Sequence, residues 1–304
     1  MNKMILALIR RRWATAVLLS AYFVSIVLLH RKVARWSTKL EAAMTSPVYN
    51  RVWGIASLAA LAFLLIFIAV RLVKGSDRVF RTAFLAATLA VIGISHVFFL
   101  SANLEYIHLL QFILVVPPLF ALSGRFWETV FWTGLLGALD ELYQYFVVWR
   151  PFQTAYDFDD VLLDAVGGLF MAVLLFLWLH PGTVRKAGGS RRPGWTRSPA
   201  AVAAAGLVVM TLAAHGAGLL DFYPRQALDG SILKAQAPVL LSLVPRDKAF
   251  WRALERKKRI HVVTAAEFTV LMAGLVGLAS LLDSRARRFA EAGEPGSFGE
   301  RRAG

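Results

Sequence analysis

The sequence predicts an all-α, polytopic transmembrane bundle of about eight spans, and three observations predict it. Of its 304 residues, 58% are hydrophobic and only 17% charged, with a mean hydropathy of +0.58; a soluble domain runs nearer half apolar and a quarter charged. The apolar residues form continuous runs of about 20, the length a helix needs to cross a hydrocarbon core of about 30 Å. They do not alternate, so helices and not a β-barrel must satisfy the backbone in lipid. The net charge of +15 sits between these runs, as in a membrane protein, and belongs to no recognisable nucleic-acid-binding fold. With no cysteine, disulfides, thiolate metal sites and cysteine nucleophiles are excluded.

In chain order the spans are Trp13–Leu29, Val52–Val73, Ala83–Ser101, Tyr106–Leu122, Trp127–Trp149, Val161–Leu179, Ala200–Leu220 and Val262–Leu282. The first follows Arg10, Arg11 and Arg12 and runs into His30-Arg31-Lys32 without a small-residue cleavage site, so it reads as a retained anchor. Trp13, Trp53, Trp127, Trp149 and Trp178 fall near span ends, where an interfacial aromatic belt would place them. Pro117 and Pro118 should kink the fourth span. These spans group as an N-terminal pair (1–82), a four-helix core (83–181), a basic Gly/Pro linker (182–199), a C-terminal pair (200–283) and a polar tail (284–304). With both termini cytoplasmic, 19 of the 34 Lys and Arg fall inside, a weak positive-inside bias. The basic stretch Arg246–Arg259 reads either as an amphipathic surface helix or as a solvated loop.

Ionisable residues are costly inside a membrane, about 2.5–3.5 kcal/mol each on insertion scales, and here they gather in spans four to six. His96 and His215 stand alone in theirs and read as interhelical hydrogen-bonding groups. Span four opens Glu105-x-x-His108-x-x-Gln111, on one helical face. Span five carries Gly134, Gly137, Asp140, Glu141 and Gln144; Gly134, Glu141 and Gln144 share a stripe, and the small residue there lets a neighbouring helix approach. Span six is preceded by Asp157-x-x-Asp160 and continues through Asp164 to Gly167 and Gly168. Arg150 lies in the loop before these aspartates. Alternation of spans brings the start of four, the end of five and the start of six to one membrane face. Glu105, His108, Gln144, Arg150, Asp157 and Asp160 therefore converge there, with Glu141 and Asp164 about a turn deeper. Arg150 and Asp160 are expected within contact reach, and Glu141 near His108 and Asp164.

The series Glu141-x-x-Gln144, Arg150, Asp157-x-x-Asp160-x-x-x-Asp164-x-x-Gly167, with His108 and Phe112 upstream, resembles the VanZ-like family of membrane proteins. The resemblance covers roughly residues 83–181. It departs from the family's usual pattern in a longer loop from Arg150 to Asp157 and in Asp164, where Asn is often found. The family takes its name from an accessory glycopeptide-resistance protein linked to low-level teicoplanin resistance, which implies a place in the cell envelope but no particular reaction.

Three functions are compatible with these residues. The first is binding or modification of a membrane lipid or lipid-linked cell-wall intermediate. Glu141, Asp160 and His108 would then be catalytic, and Arg150, Gln144, Asp157, Asp164 and Glu105 substrate-binding. No resident cofactor is expected; Asp157, Asp160 and Asp164 offer the oxygen ligands a divalent cation wants, but Asp-x-x-Asp at a helix start is equally a capping arrangement. The second is a non-enzymatic scaffold or assembly factor, and the third a proton-coupled transporter, which lacks an inverted repeat here. There is no Gly-x-x-x-x-Gly-Lys, His-Glu-x-x-His or Gly-x-Ser-x-Gly motif.

Overall fold

A computed structural model describes residues 1–44, 47–49, 51–56, 78–99, 106–148, 156–179, 183–184, 198–223, 239–242, 251–253, 259–261 and 263–292, with a few isolated positions between 58 and 66. Helices make up nearly all of it. They are α1 (Asn2–Arg10), α2 (Arg12–Met44), α3 (Arg78–Phe98), α4 (Tyr106–Ser123), α5 (Phe126–Tyr143), α6 (Phe158–Trp178), α7 (Pro199–Gly216) and α8 (Ala265–Ala292). Five are long and apolar enough to cross a membrane: α2 over Arg12–Leu29, α3, α6, α7, and α8 over Ala265–Arg288. The fourth expected span is a shorter apolar helix, Ile107–Ser123. The fifth, α5, has the length but carries Glu128, Asp140 and Glu141 among its 18 residues. Most of the second, Val52–Val73, lies outside the described residues, although residues 51–56 are helical.

Several expected boundaries move. The first span keeps its expected end, Arg12–Leu29, but its helix does not stop there: α2 runs on to Met44, 33 residues in all, because the charged residues after Leu29 are good helix formers and no Gly or Pro stops them. Pro117 and Pro118 lie inside α4 without breaking it, as membrane helices allow when neighbours satisfy the freed backbone. Span five does not stay α-helical to Trp149. Beyond Tyr143 it widens into a π-turn, Gln144–Val148, where the Gln144 amide is shared between the carbonyls of Asp140 and Glu141. α8 continues past Asp283 to Ala292. In the basic segment, Leu220–Tyr223 (β1) pairs in parallel with Val239–Ser242 (β2). Trp251–Ala253 (β3) pairs antiparallel with Arg259–His261 (β4). That second pairing excludes a continuous amphipathic helix over Arg246–Arg259, since Trp251 and Ile260 belong to extended, β-favouring chain.

The centre of the bundle is α6. Beyond the aspartates of its first two turns it is apolar all round, and nearly all of it is buried, as a helix covered on every side should be. α4 and α5 pack on it and on each other, α3 lies against it, and α8 packs on both α5 and α6. The last helix thus rests on the core although its sequence lies beyond the linker. α2 packs along α4, and α7 leaves almost its whole surface exposed.

In lipid, apolar side chains gain little by leaving their surroundings, so close packing and hydrogen bonds must hold helices together. Both are present. A Cβ on Gly167 of α6 would lie 2.6 Å from the Leu109 carbonyl oxygen of α4, and one on Gly168 2.9 Å from the Thr133 side chain of α5. On α5, a Cβ on Gly137 would meet the Asp164 carboxylate at 2.5 Å, and one on Gly134 the Met272 methyl of α8 at 2.5 Å. The stripe that carries Gly134 therefore faces α8 as well as α6. At one end of the bundle Phe120 stacks on Phe126 with centroids 4.6 Å apart, and Phe126 meets Phe176 edge-on at 6.0 Å.

Two carboxylates fasten α8. Near its start, Asp159 of α6 accepts the Val263 amide at 2.8 Å. Near its end, its own Asp283 accepts the amides of Phe126 and Trp127 at 3.1 and 3.0 Å. These are first-turn amides of α5, whose N-cap residue, Arg125, provides no side-chain cap. Asp283 supplies that cap from another helix. Arg125 turns instead to Glu128 at 3.1 Å.

Candidate functional site

The polar residues of α4, α5 and α6 meet at the end of the bundle opposite Asp283. α4 brings His108 in its first turn, α6 brings Asp160 and Asp164 in its first two turns, and α5 brings Asp140, Glu141 and Gln144 where it widens. The small residues described above allow this. Gly137 leaves room for the Asp164 side chain, and Gly167 lets the α4 backbone at Leu109, next to His108, approach α6.

His108 is the hub. Its Nδ1 lies 3.3 Å from Asp164 Oδ1 and its Nε2 3.7 Å from Asp160 Oδ2. The two carboxylates differ in access: the Asp160 side chain is 25% exposed, the Asp164 side chain 2%. The imidazole thus bridges an accessible carboxylate and an enclosed one, an arrangement that suits proton transfer between a bound molecule and the interior. Behind it, Asp140 is fully buried and accepts a hydrogen bond from Gln144 Nε2 at 3.2 Å. Asp140 is within electrostatic reach of His108. Glu141 is buried at the same level.

Tyr156, two residues before α6, donates its hydroxyl to the Ala138 carbonyl at 2.7 Å, tying the approach to α6 onto α5. Burial first, then the charges of Glu141, Asp164, Asp157 and Asp140, hold this phenol well above its ordinary range, so it remains a donor at physiological pH. Asp157 caps α6, accepting from the Asp159 amide at 3.1 Å.

The expected carboxylate ligand set is divided in three. Asp157 is engaged as a cap, Asp160 faces one nitrogen of His108, and Asp164 faces the other. Among the described residues no three His, Asp or Glu side chains are grouped as metal ligands.

Of the predicted site residues, the structure brings together His108, Asp160 and Asp164, and places Gln144 and Glu141 at the same end. Asp157 lies at the adjacent helix start. Glu105 and Arg150 lie outside the described residues, as does any contact between Arg150 and Asp160. Sequence reasoning missed Asp140 and Tyr156. Asp140 had a usable signal, since Gly137, Asp140 and Gln144 form a stripe as regular as the one through Glu141. Tyr156 had none, because its partner is a backbone carbonyl 18 residues away. No protein-family model, curated protein or solved structure matches this chain.

Proposed function

We propose that the chain is a VanZ-like integral protein of the cell envelope that binds, and acts on, a lipid-linked substrate at the His108 end of the bundle. The observation that carries this reading is the histidine held between an accessible and an enclosed carboxylate. A purely structural network needs no graded access to solvent; a site that exchanges protons with a ligand does. The head group would enter beside Asp160, and Arg150, in the loop leading to α6, would supply the cation for its phosphate. Within that arrangement Glu141 serves as acid or base, with Asp140 and Gln144 behind it.

The protein lies in this reading in the plasma membrane with both termini cytoplasmic and the site at the outer face. Reporter fusions at Gly304 and within residues 150–160 are expected to report opposite sides. The same side for both would remove the outward-facing site.

The function is tested by mass spectrometry of lipids that co-purify with the protein. A lipid-linked species enriched over bulk membrane is expected with the wild type, lost in Arg150→Gln and retained in Glu141→Gln. The retained variant is expected to fail in protection against teicoplanin while expressing and melting normally. Full protection by Glu141→Gln would leave the residue a packing role. No enriched lipid, or enrichment indifferent to Arg150→Gln, would return the cluster to a polar network that joins three helices.

A further inference from the structure

A second feature lies at the other end of the bundle and does not depend on the reading above. α1 and α2 meet at a corner at Arg11, where the helical ladder turns. The corner is fixed in place. Thr15 donates its hydroxyl to the Leu8 carbonyl across it at 2.8 Å. Asn2 reaches the Trp178 carbonyl at 3.5 Å and accepts from the Thr183 hydroxyl at 3.2 Å, and Ile5 is fully buried in the core.

Against this corner lie two adjoining hollows. The larger, about 480 Å³, is walled by Leu6 and Ala7 and rimmed by Lys3, Arg10 and Arg11. The smaller, about 190 Å³, shares Ala7 and Arg11 with it and continues along Ala14, Thr15 and Leu18 of α2. Among the described residues no carboxylate forms an ion pair with any of the three cations. Two residues after Arg11 in the chain, Trp13 is 86% exposed, as an interfacial tryptophan would be.

We propose that this corner is a binding site for one anionic phospholipid. Three cations around one end match a phosphate-bearing head group, and the apolar channel leading from them along α2 matches an acyl chain. Basic pockets beside membrane helices recognise anionic head groups in this way. A zwitterionic lipid would leave the three cations uncompensated, and a soluble phosphate would leave the channel unfilled.

The test is native mass spectrometry of the full chain from nanodiscs of phosphatidylglycerol or of phosphatidylcholine. One retained phosphatidylglycerol per protein is expected, with no retained phosphatidylcholine. Each of Lys3→Gln, Arg10→Gln and Arg11→Gln is expected to weaken retention about fivefold, the effect of one cation near a membrane surface. Arg12→Gln removes the same charge from outside the lining and is expected to leave retention unchanged. Ala14→Leu fills the channel without altering charge and is expected to abolish retention; it also keeps the test open if a basic-residue variant fails to insert. Inorganic phosphate should not displace the lipid. Equal loss in Arg12→Gln, unaltered retention in Ala14→Leu, or equal retention of both lipids would overturn the site.

Discussion

Gly167→Ala is expected to be among the most damaging single substitutions in the bundle, although it adds one methyl group. That methyl would lie 2.6 Å from the Leu109 carbonyl oxygen and 3.1 Å from the Leu109 Cα. Both are backbone atoms of the first turn of α4, so no rotamer change relieves the clash. α4 must move away from α6, and overpacking of this kind costs about 1–3 kcal/mol, occasionally more. The movement also carries His108, one residue before Leu109, away from Asp164. Stability and site geometry should therefore fail together. Gly274→Ala in α8 is the control, because nothing lies within 4 Å of the added methyl. There the better helix former should be neutral or stabilising by up to about 1 kcal/mol. Thermal unfolding of both variants in one detergent makes the comparison. Equal melting temperatures would mean that α4 and α6 do not cross at Leu109.

Asp283→Ala is expected to have an effect as large, by a different route. The carboxylate is buried and accepts two amides of α5. Removing it orphans both donors, at about 1–3 kcal/mol for each, and frees the far end of α8 from the core. Asp283→Asn should fall between, because its single amide oxygen replaces one acceptor and its NH₂ group faces the other donor. Hydrogen exchange separates this cap from a general loss of stability. In Asp283→Ala the amides of Phe126 and Trp127 should lose protection before those in the middle of α5. Unchanged protection at these two positions would show that α5 does not depend on α8 for its cap.

The contrast between these residues marks how far the sequence could be read. The meeting of α4, α5 and α6 was legible because polar residues are expensive in apolar helices, and steps of three and four assign them a face. His108, Asp160 and Asp164 follow from that arithmetic. The choice between Asp140 and Glu141 does not. α5 is covered by α4, α6 and α8, so two adjacent acids can both be buried, and a single-stripe argument picks one too few. Asp159 and Asp283 were not legible at all. Their partners are more than a hundred residues away, and Asp283, at the close of an apolar run, looks like an ordinary exit from the membrane. The end of α5 escaped for a related reason. Nothing in Gln144–Val148 forbids a regular helix, since the π-turn there contains no Gly or Pro to announce it. In the basic segment the charge pattern fitted a surface helix or a solvated loop equally, while Trp251 and Ile260 are extended chain in the structure.

The two attachments of α8 have a consequence for the surrounding bilayer. Twenty residues separate Val263 from Asp283, a rise of about 30 Å in a helix, which is the thickness of a hydrocarbon core. A helix held at one end only can tilt to suit a thinner membrane or stand upright in a thicker one. α8 is held at both, and tilting it would draw one carboxylate off its amides. Hydrophobic mismatch at this helix is therefore met by the lipid or by tilt of the bundle as one body, and not by reorienting α8 alone, so the core carries its own measure of the membrane it fits.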